Sequence, residues 1–67
     1  MDLGESIKKR RTAANITQAQ LAESVSVAQS MIAQIERGTK VPSAYLIRDI
    51  ARYFGCTVDE LMTADGA

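Results

Sequence analysis

Two groupings of side chains in this chain could do chemistry, one by recognition and one as a structural ion pair. In the stretch Gln29-Ser30-Met31-Ile32-Ala33-Gln34-Ile35-Glu36-Arg37, a helical advance of about 100° per residue puts Ser30, Ala33, Gln34 and Arg37 on one side. Ala28, Ile32, Ile35 and Glu36 fall on the other. The first side offers amide, hydroxyl and methyl groups, with a base at its C-terminal end. A Gln amide can bond an adenine edge in bidentate fashion, a Ser hydroxyl suits several bases, and an Ala methyl can meet a thymine methyl. Residues at the N-terminus of a helix in a major groove also reach base edges, which adds Gln29. The second grouping is Arg11 with Glu36. Arg11 falls on the apolar side of its helix with Leu3, Ile7 and Ala14, and Glu36 on the inward side of its own. Either charge alone is expensive to bury. Together they can form a bidentate pair.

Other chemistry is excluded by what the chain lacks. It has no His and a single cysteine, Cys56, so zinc-finger spacing and Ser/His or Cys/His catalysis are ruled out. No nucleophile–base pair, metal-ligand cluster or Gly-rich phosphate loop is present, so an enzyme is not expected. No cofactor, metal or small-molecule ligand is expected either. Cys56 reads as a small buried hydrophobe rather than a redox switch. No apolar run approaches the roughly 18 residues of a membrane span. A lone thiol and no secretory signal point to a reducing cytoplasm.

At 67 residues, one domain spanning 1–67 is expected, near the lower limit for a core without a staple. The net charge is zero, but its distribution is uneven. Residues 7–40 hold six basic side chains (Lys8, Lys9, Arg10, Arg11, Arg37, Lys40) against two acids (Glu23, Glu36), and each flank carries an excess of two negative charges. A local basic region suffices for a phosphate footprint.

Punctuation divides the chain into five short helices, so the fold class is all-α. Asp2 with Glu5 reads as a capping box for the first. Asn15 can take the left-handed conformation that ends it. Thr17 and Gln20 open the second, with Leu21, Ala22 and Val25 inward. Ser26 and Val27 make a tight turn. The third helix runs from about Ala28 to Arg37 and stops at Gly38. A Thr39–Pro42 loop leads to Ser43, the cap of the fourth, whose Ile47, Ile50, Ala51 and Phe54 share one face. Gly55 stops it, and Thr57 with Glu60 opens a last helix carrying Val58, Leu61 and Met62. The packed core is placed at 3–62, with 63–67 frayed.

Helices 2 and 3, joined by about three residues, suit a helix-turn-helix. Ala22 is small where the helices cross, and Leu21, Val25, Val27, Ile32 and Ile35 anchor their inner faces. The joint pattern of Gln18, Ala22, Ile32, Glu36, Gly38, Pro42 and Gly55, in register, resembles the lambda-repressor-like (Xre-type) helix-turn-helix domain over roughly residues 3–62. That resemblance implies a compact five-helix DNA-binding domain and a transcriptional regulator of repressor type. It implies base reading by Gln29, Ser30 and Gln34, an Arg11–Glu36 structural pair, and a phosphate contact at Gln18. Arg37, Thr39 and Lys40 follow the reading helix and are further phosphate candidates, as is Tyr45 at the start of helix 4. Lys8, Lys9 and Arg10 read as solubilising charges.

The sequence departs from the family pattern at three places. Ser26 stands at a turn position usually held by Gly. Ala28 replaces a Ser or Thr cap, so helix 3 starts loosely or is capped by Ser26 one register earlier. Arg48 replaces an apolar residue, which implies different packing along one edge of helix 4. One module offers few base contacts, so a homodimer on a palindromic double-stranded site is expected. The resemblance places the dimer contact near the C-terminal helix, where Tyr53, Val58 and Met62 are the candidates; Val58 and Leu61 serve equally well as monomer core. The zero net charge keeps a second class open, a protein-interaction module of the same fold without DNA binding.

Overall fold

The computed structural model describes residues 3–62. The Asp2–Glu5 capping box and the 63–67 tail therefore lie outside the described residues. Five helices follow one another, with no strand among the described residues: α1 (Leu3–Ala13), α2 (Gln18–Ser24), α3 (Gln29–Arg37), α4 (Ala44–Phe54) and α5 (Val58–Met62).

The start and stop signals act through specific hydrogen bonds. Thr17 and Gln20 exchange two, at 3.0 and 2.8 Å, and Thr57 and Glu60 do the same at 3.0 and 2.8 Å. Ser43 Oγ accepts from the Leu46 N–H at 3.2 Å. Each bond satisfies an amide that the first turn of a helix leaves unpaired. Gly38 ends α3 at φ 86° and Gly55 ends α4 at φ 71°, both in the left-handed region. Asn15 and Ser26 take φ 61° without being glycine. Helix 3 begins at Gln29, one residue later than expected. Its N-cap residue is Ala28, not Ser26, and it is exposed and makes no side-chain capping bond, so the first turn has no side-chain cap.

One cluster of buried side chains joins the elements: Ile7, Leu21, Ala22, Val25, Ile32, Ile35, Leu46, Ile50, Ala51 and Leu61. Helix α3 packs against both α2 and α1, and α5 against α1 and α4. Leu61 is fully buried and Val58 half-buried against the same core.

Three inward assignments shift. Ala14 is exposed because α1 ends at Ala13 and the left-handed Asn15 turns the chain away; Ile16 packs against the core there instead. On α4 the buried face centres on Leu46, Ile50 and Ala51, with Ile47 and Phe54 at its margins. Arg48 is exposed and leaves that face unbroken.

The contact between α1 and α3 is unusually close at Gly4. A Cβ there would lie 2.2 Å from the Ile35 carbonyl oxygen and 2.8 Å from that of Glu36. The first turn of α1 thus rests on the backbone of the last turn of α3. Gly in a helix costs about 1 kcal/mol relative to Ala, and the close approach is what requires it.

Candidate nucleic-acid interface

Helix α3 is divided lengthwise. Ile32 and Ile35 are 0% and 1% exposed. Gln29, Ser30 and Arg37 are exposed, with Ala33 and Gln34 half-buried. The amide, hydroxyl and methyl groups singled out from helical spacing therefore share the more open side of α3, with Gln29 and Ser30 exposed and Ala33 and Gln34 partly covered. That side follows from the sequence, because the 3.6-residue repeat of apolar positions turns Ile32 and Ile35 inward.

Arg11 and Glu36 form an ion pair that ties α1 to the last turn of α3. Arg11 Nε donates to Glu36 Oε2 at 2.6 Å and Nη2 to Oε1 at 3.1 Å. Arg11 Nη1 donates to the Ile16 carbonyl at 2.9 Å, tying down the α1–α2 turn. The side chains are only 12% and 4% exposed. A third donor was not anticipated: Gln18 Nε2 bonds Glu36 Oε1 at 3.0 Å. One carboxylate thus joins α1, α2 and α3. Gln18 keeps its second amide hydrogen.

Of the other phosphate candidates, Arg37 ends α3, Thr39 and Lys40 follow it, and Tyr45 lies on α4. Arg37 and Lys40 are exposed. Tyr45 is 78% exposed on the first turn of α4. Thr39 differs from them. Its hydroxyl donates to the Gln34 carbonyl at 3.2 Å and its N–H to the same oxygen at 3.0 Å. A phosphate oxygen only accepts, so Thr39 could serve one only by releasing that carbonyl.

Residues read as mere solubilising charges also have places. Lys8 lines an open cleft of about 360 Å³ with Gln18, Ala33, Glu36 and Arg37. The signal was in the spacing, since Gly4, Lys8 and Arg11 stand at i, i+4 and i+7, on the face of α1 that meets α3. Arg10 Nη2 donates to the Glu60 carbonyl at 3.3 Å, linking α1 to α5.

The dimer candidates are not gathered in one place. Tyr53 is 41% exposed and lines a cleft with Ser24, Val25, Ser26, Asp49 and Arg52. Its ring meets that of Phe54 edge-on at 5.3 Å. Met62, 36% exposed, lines a different, more apolar cleft with Leu3, Gly4, Ile35, Val41 and Pro42. Among the described residues no group of His, Cys, Asp and Glu could hold a metal ion, and no helix is long and apolar enough to cross a membrane.

A short α2–α3 turn, a buried small residue where the two helices meet and an uncovered polar side on the second helix define a helix-turn-helix domain. The helix-turn-helix family model matches residues 7–61, and the chain belongs to that family, in its lambda-repressor-like, Xre-type branch. It is 34% identical over 65 residues to the HTH-type transcriptional activator BcrR of Enterococcus faecalis, covering 97% of this chain and 32% of that protein. The chain thus spans about a third of that relative's length. It is 34% identical over 58 residues to the uncharacterized HTH-type transcriptional regulator YazB of Bacillus subtilis (strain 168), covering 87% of this chain and 84% of that one. The solved DNA-binding domain of the P22 c2 repressor superposes with a TM-score of 0.91 at 30% identity, covering 100% of this chain and 88% of that one. The P22 c2 repressor in complex with a synthetic operator superposes with a TM-score of 0.88 at 31% identity, covering 97% of this chain and 98% of that one.

Proposed function

We propose that this chain is a sequence-specific double-stranded DNA-binding transcriptional regulator of repressor type, with α3 lying in the major groove. The observation that carries this reading is the division of α3. Gln29 and Ser30 are exposed and Ala33 and Gln34 half-buried on its open side, while Ile32 and Ile35 are sealed in the core. Those four read base edges. Gln18, Arg37, Lys40 and Tyr45 hold the sugar-phosphate backbone and set the register, and Thr39 joins them if its hydroxyl leaves the Gln34 carbonyl. The likeness to an operator-bound repressor supports the same docking.

The active form is a homodimer on a palindrome. Half-sites one helical turn apart lie about 34–36 Å centre to centre, and the domain extends 30 × 23 × 20 Å. Two copies on such a site meet edge to edge, through a small contact assigned to Val58 and Met62, with Tyr53 as the outlying candidate. Such a protein works in the cytoplasm, where its DNA is.

Selection of bound duplexes from a random pool tests the reading. The expected result is an enriched inverted repeat, with affinity that falls steeply as salt rises. No enrichment, with weak binding indifferent to sequence, would favour the protein-interaction alternative. A reporter placed behind the selected site, measured with and without the protein, tests repression.

A further inference from the structure

We propose that Lys8 is an additional phosphate-contacting residue, and that it and Arg37 grip one DNA strand from the two walls of the cleft between α1 and α3. The inference rests on the DNA-binding reading and extends it to a helix that composition alone marked as merely solubilising.

Three helices supply the cleft: Lys8 from α1, Gln18 from α2, and Ala33, Glu36 and Arg37 from α3. Its charges do not cancel. The Glu36 carboxylate is turned inward and already accepts from Arg11 and Gln18. Lys8 and Arg37 are both exposed, and among the described residues neither has a carboxylate partner: the ion pair found there is Arg11–Glu36. Two cations therefore face an open space in whose lining the one carboxylate, Glu36, is already paired with Arg11. Gln18 adds its remaining amide hydrogen, and the methyl of Ala33 leaves the floor low enough for a bulky group. The chemistry that fits is a phosphodiester, an anion with several acceptor oxygens. Ala33 belongs both to this floor and to the uncovered side of α3. A strand seated in the cleft would thus run beside Gln34 and Ser30, which favours duplex DNA over a free phosphate.

The test is the salt dependence of binding to the selected duplex for the wild-type chain and for Lys8→Gln, Lys8→Arg, Arg37→Gln and Lys9→Gln. Loss of one phosphate contact lowers the slope of log K against log salt by about 0.9 and weakens binding on the order of fivefold near physiological salt. Lys8→Gln and Arg37→Gln should each show this, with base preferences unchanged. Lys8→Arg should restore the slope. Lys9, exposed on α1 but absent from the cleft lining, should leave it unaltered. Unchanged melting of Lys8→Gln shows that the fold is intact.

A wild-type slope in Lys8→Gln overturns the proposal, as does an equal fall in Lys9→Gln, which would mean that only long-range charge is at work. Both leave the DNA-binding reading standing. Absence of any duplex binding by the wild-type chain removes that reading, and this one with it. Inorganic phosphate titrated at constant ionic strength should leave the Lys8 and Arg37 amide resonances in place; saturable shifts there would assign the cleft to a small anion instead.

Discussion

Arg11 and Glu36, 25 residues apart in the chain, are joined by two parallel hydrogen bonds of 2.6 and 3.1 Å. The pair holds α1 against α3 and leaves neither charge orphaned inside the fold. Breaking one side is costly because the other stays buried: Arg11→Met should destabilise the chain by about 3–5 kcal/mol. The double variant Arg11→Met with Glu36→Leu should regain much of that loss. A thermal melt unmoved by Arg11→Met alone would show that the pair carries no such weight.

Gly4 permits the same two helices to touch. Its absent side chain leaves room for the Ile35 and Glu36 carbonyl oxygens, which a Cβ would approach to 2.2 and 2.8 Å. On helix propensity alone Gly4→Ala should stabilise by about 1 kcal/mol. Backbone carbonyls in a helix cannot swing aside, so the expected outcome is the reverse: a loss of about 1–3 kcal/mol from overpacking. Denaturant unfolding decides the sign, and a raised midpoint would mean that α1 slides freely along α3.

Ser26 sits in the α2–α3 turn at φ 61°. A non-glycine residue held there costs about 1–2 kcal/mol. Part of the gain on removing that strain is offset by the greater freedom of Gly in the unfolded chain. Ser26→Gly should accordingly raise the melting temperature modestly. A lower value would mean that the hydroxyl or the stiffer backbone of Ser26 outweighs the strain.

Much of this was legible because it rests on local chemistry. The Thr17–Gln20 and Thr57–Glu60 boxes and the stops at Gly38 and Gly55 depend on neighbours within one helical turn, so spacing alone places them. The inward Ile32 and Ile35, and with them the outward Gln29 and Ser30, follow from periodicity. What was not legible depends on how helices meet in space. Gly4 looks like a weak helix former until the carbonyls of α3 are set against it. Gln18 looks free until Glu36 arrives beside it. The Thr39 hydroxyl counts as a free donor until the Gln34 carbonyl of α3 accepts its hydrogen bond. Tyr53 and Met62 lie nine residues apart, yet they line separate clefts.

Glu60 links stability to pH. Its carboxyl is held below the ordinary glutamate value, first by the Thr57 backbone N–H, then by the Thr57 side chain, with the Arg10 guanidinium helping and slight desolvation opposing. A carboxyl with a lowered folded-state pKa contributes stability above its unfolded value, lost as pH falls through the folded one. Glu60→Gln keeps an acceptor for the Thr57 N–H but does not titrate. The wild type should melt above this variant at neutral pH, and the gap should close in acid. A gap that stays constant with pH would assign the effect to something other than the Glu60 charge.

Gln34 and Lys40 separate the two halves of the proposed recognition. Gln34 lies on the uncovered side of α3 and, as a base-reading amide, can distinguish one base pair from another. Lys40 is exposed in the loop beyond Gly38 and, as a phosphate contact, can attract the backbone but cannot tell sequences apart. Gln34→Ala should cost about 1–3 kcal/mol on the preferred duplex and relax the preference at a single position. Lys40→Ala should weaken preferred and scrambled duplexes alike and reduce the salt slope by about one. The two effects should add, since a base edge and a phosphate are independent ligands. If neither substitution alters affinity or preference, α3 is not the element that reads DNA, however well its uncovered side is placed to do so.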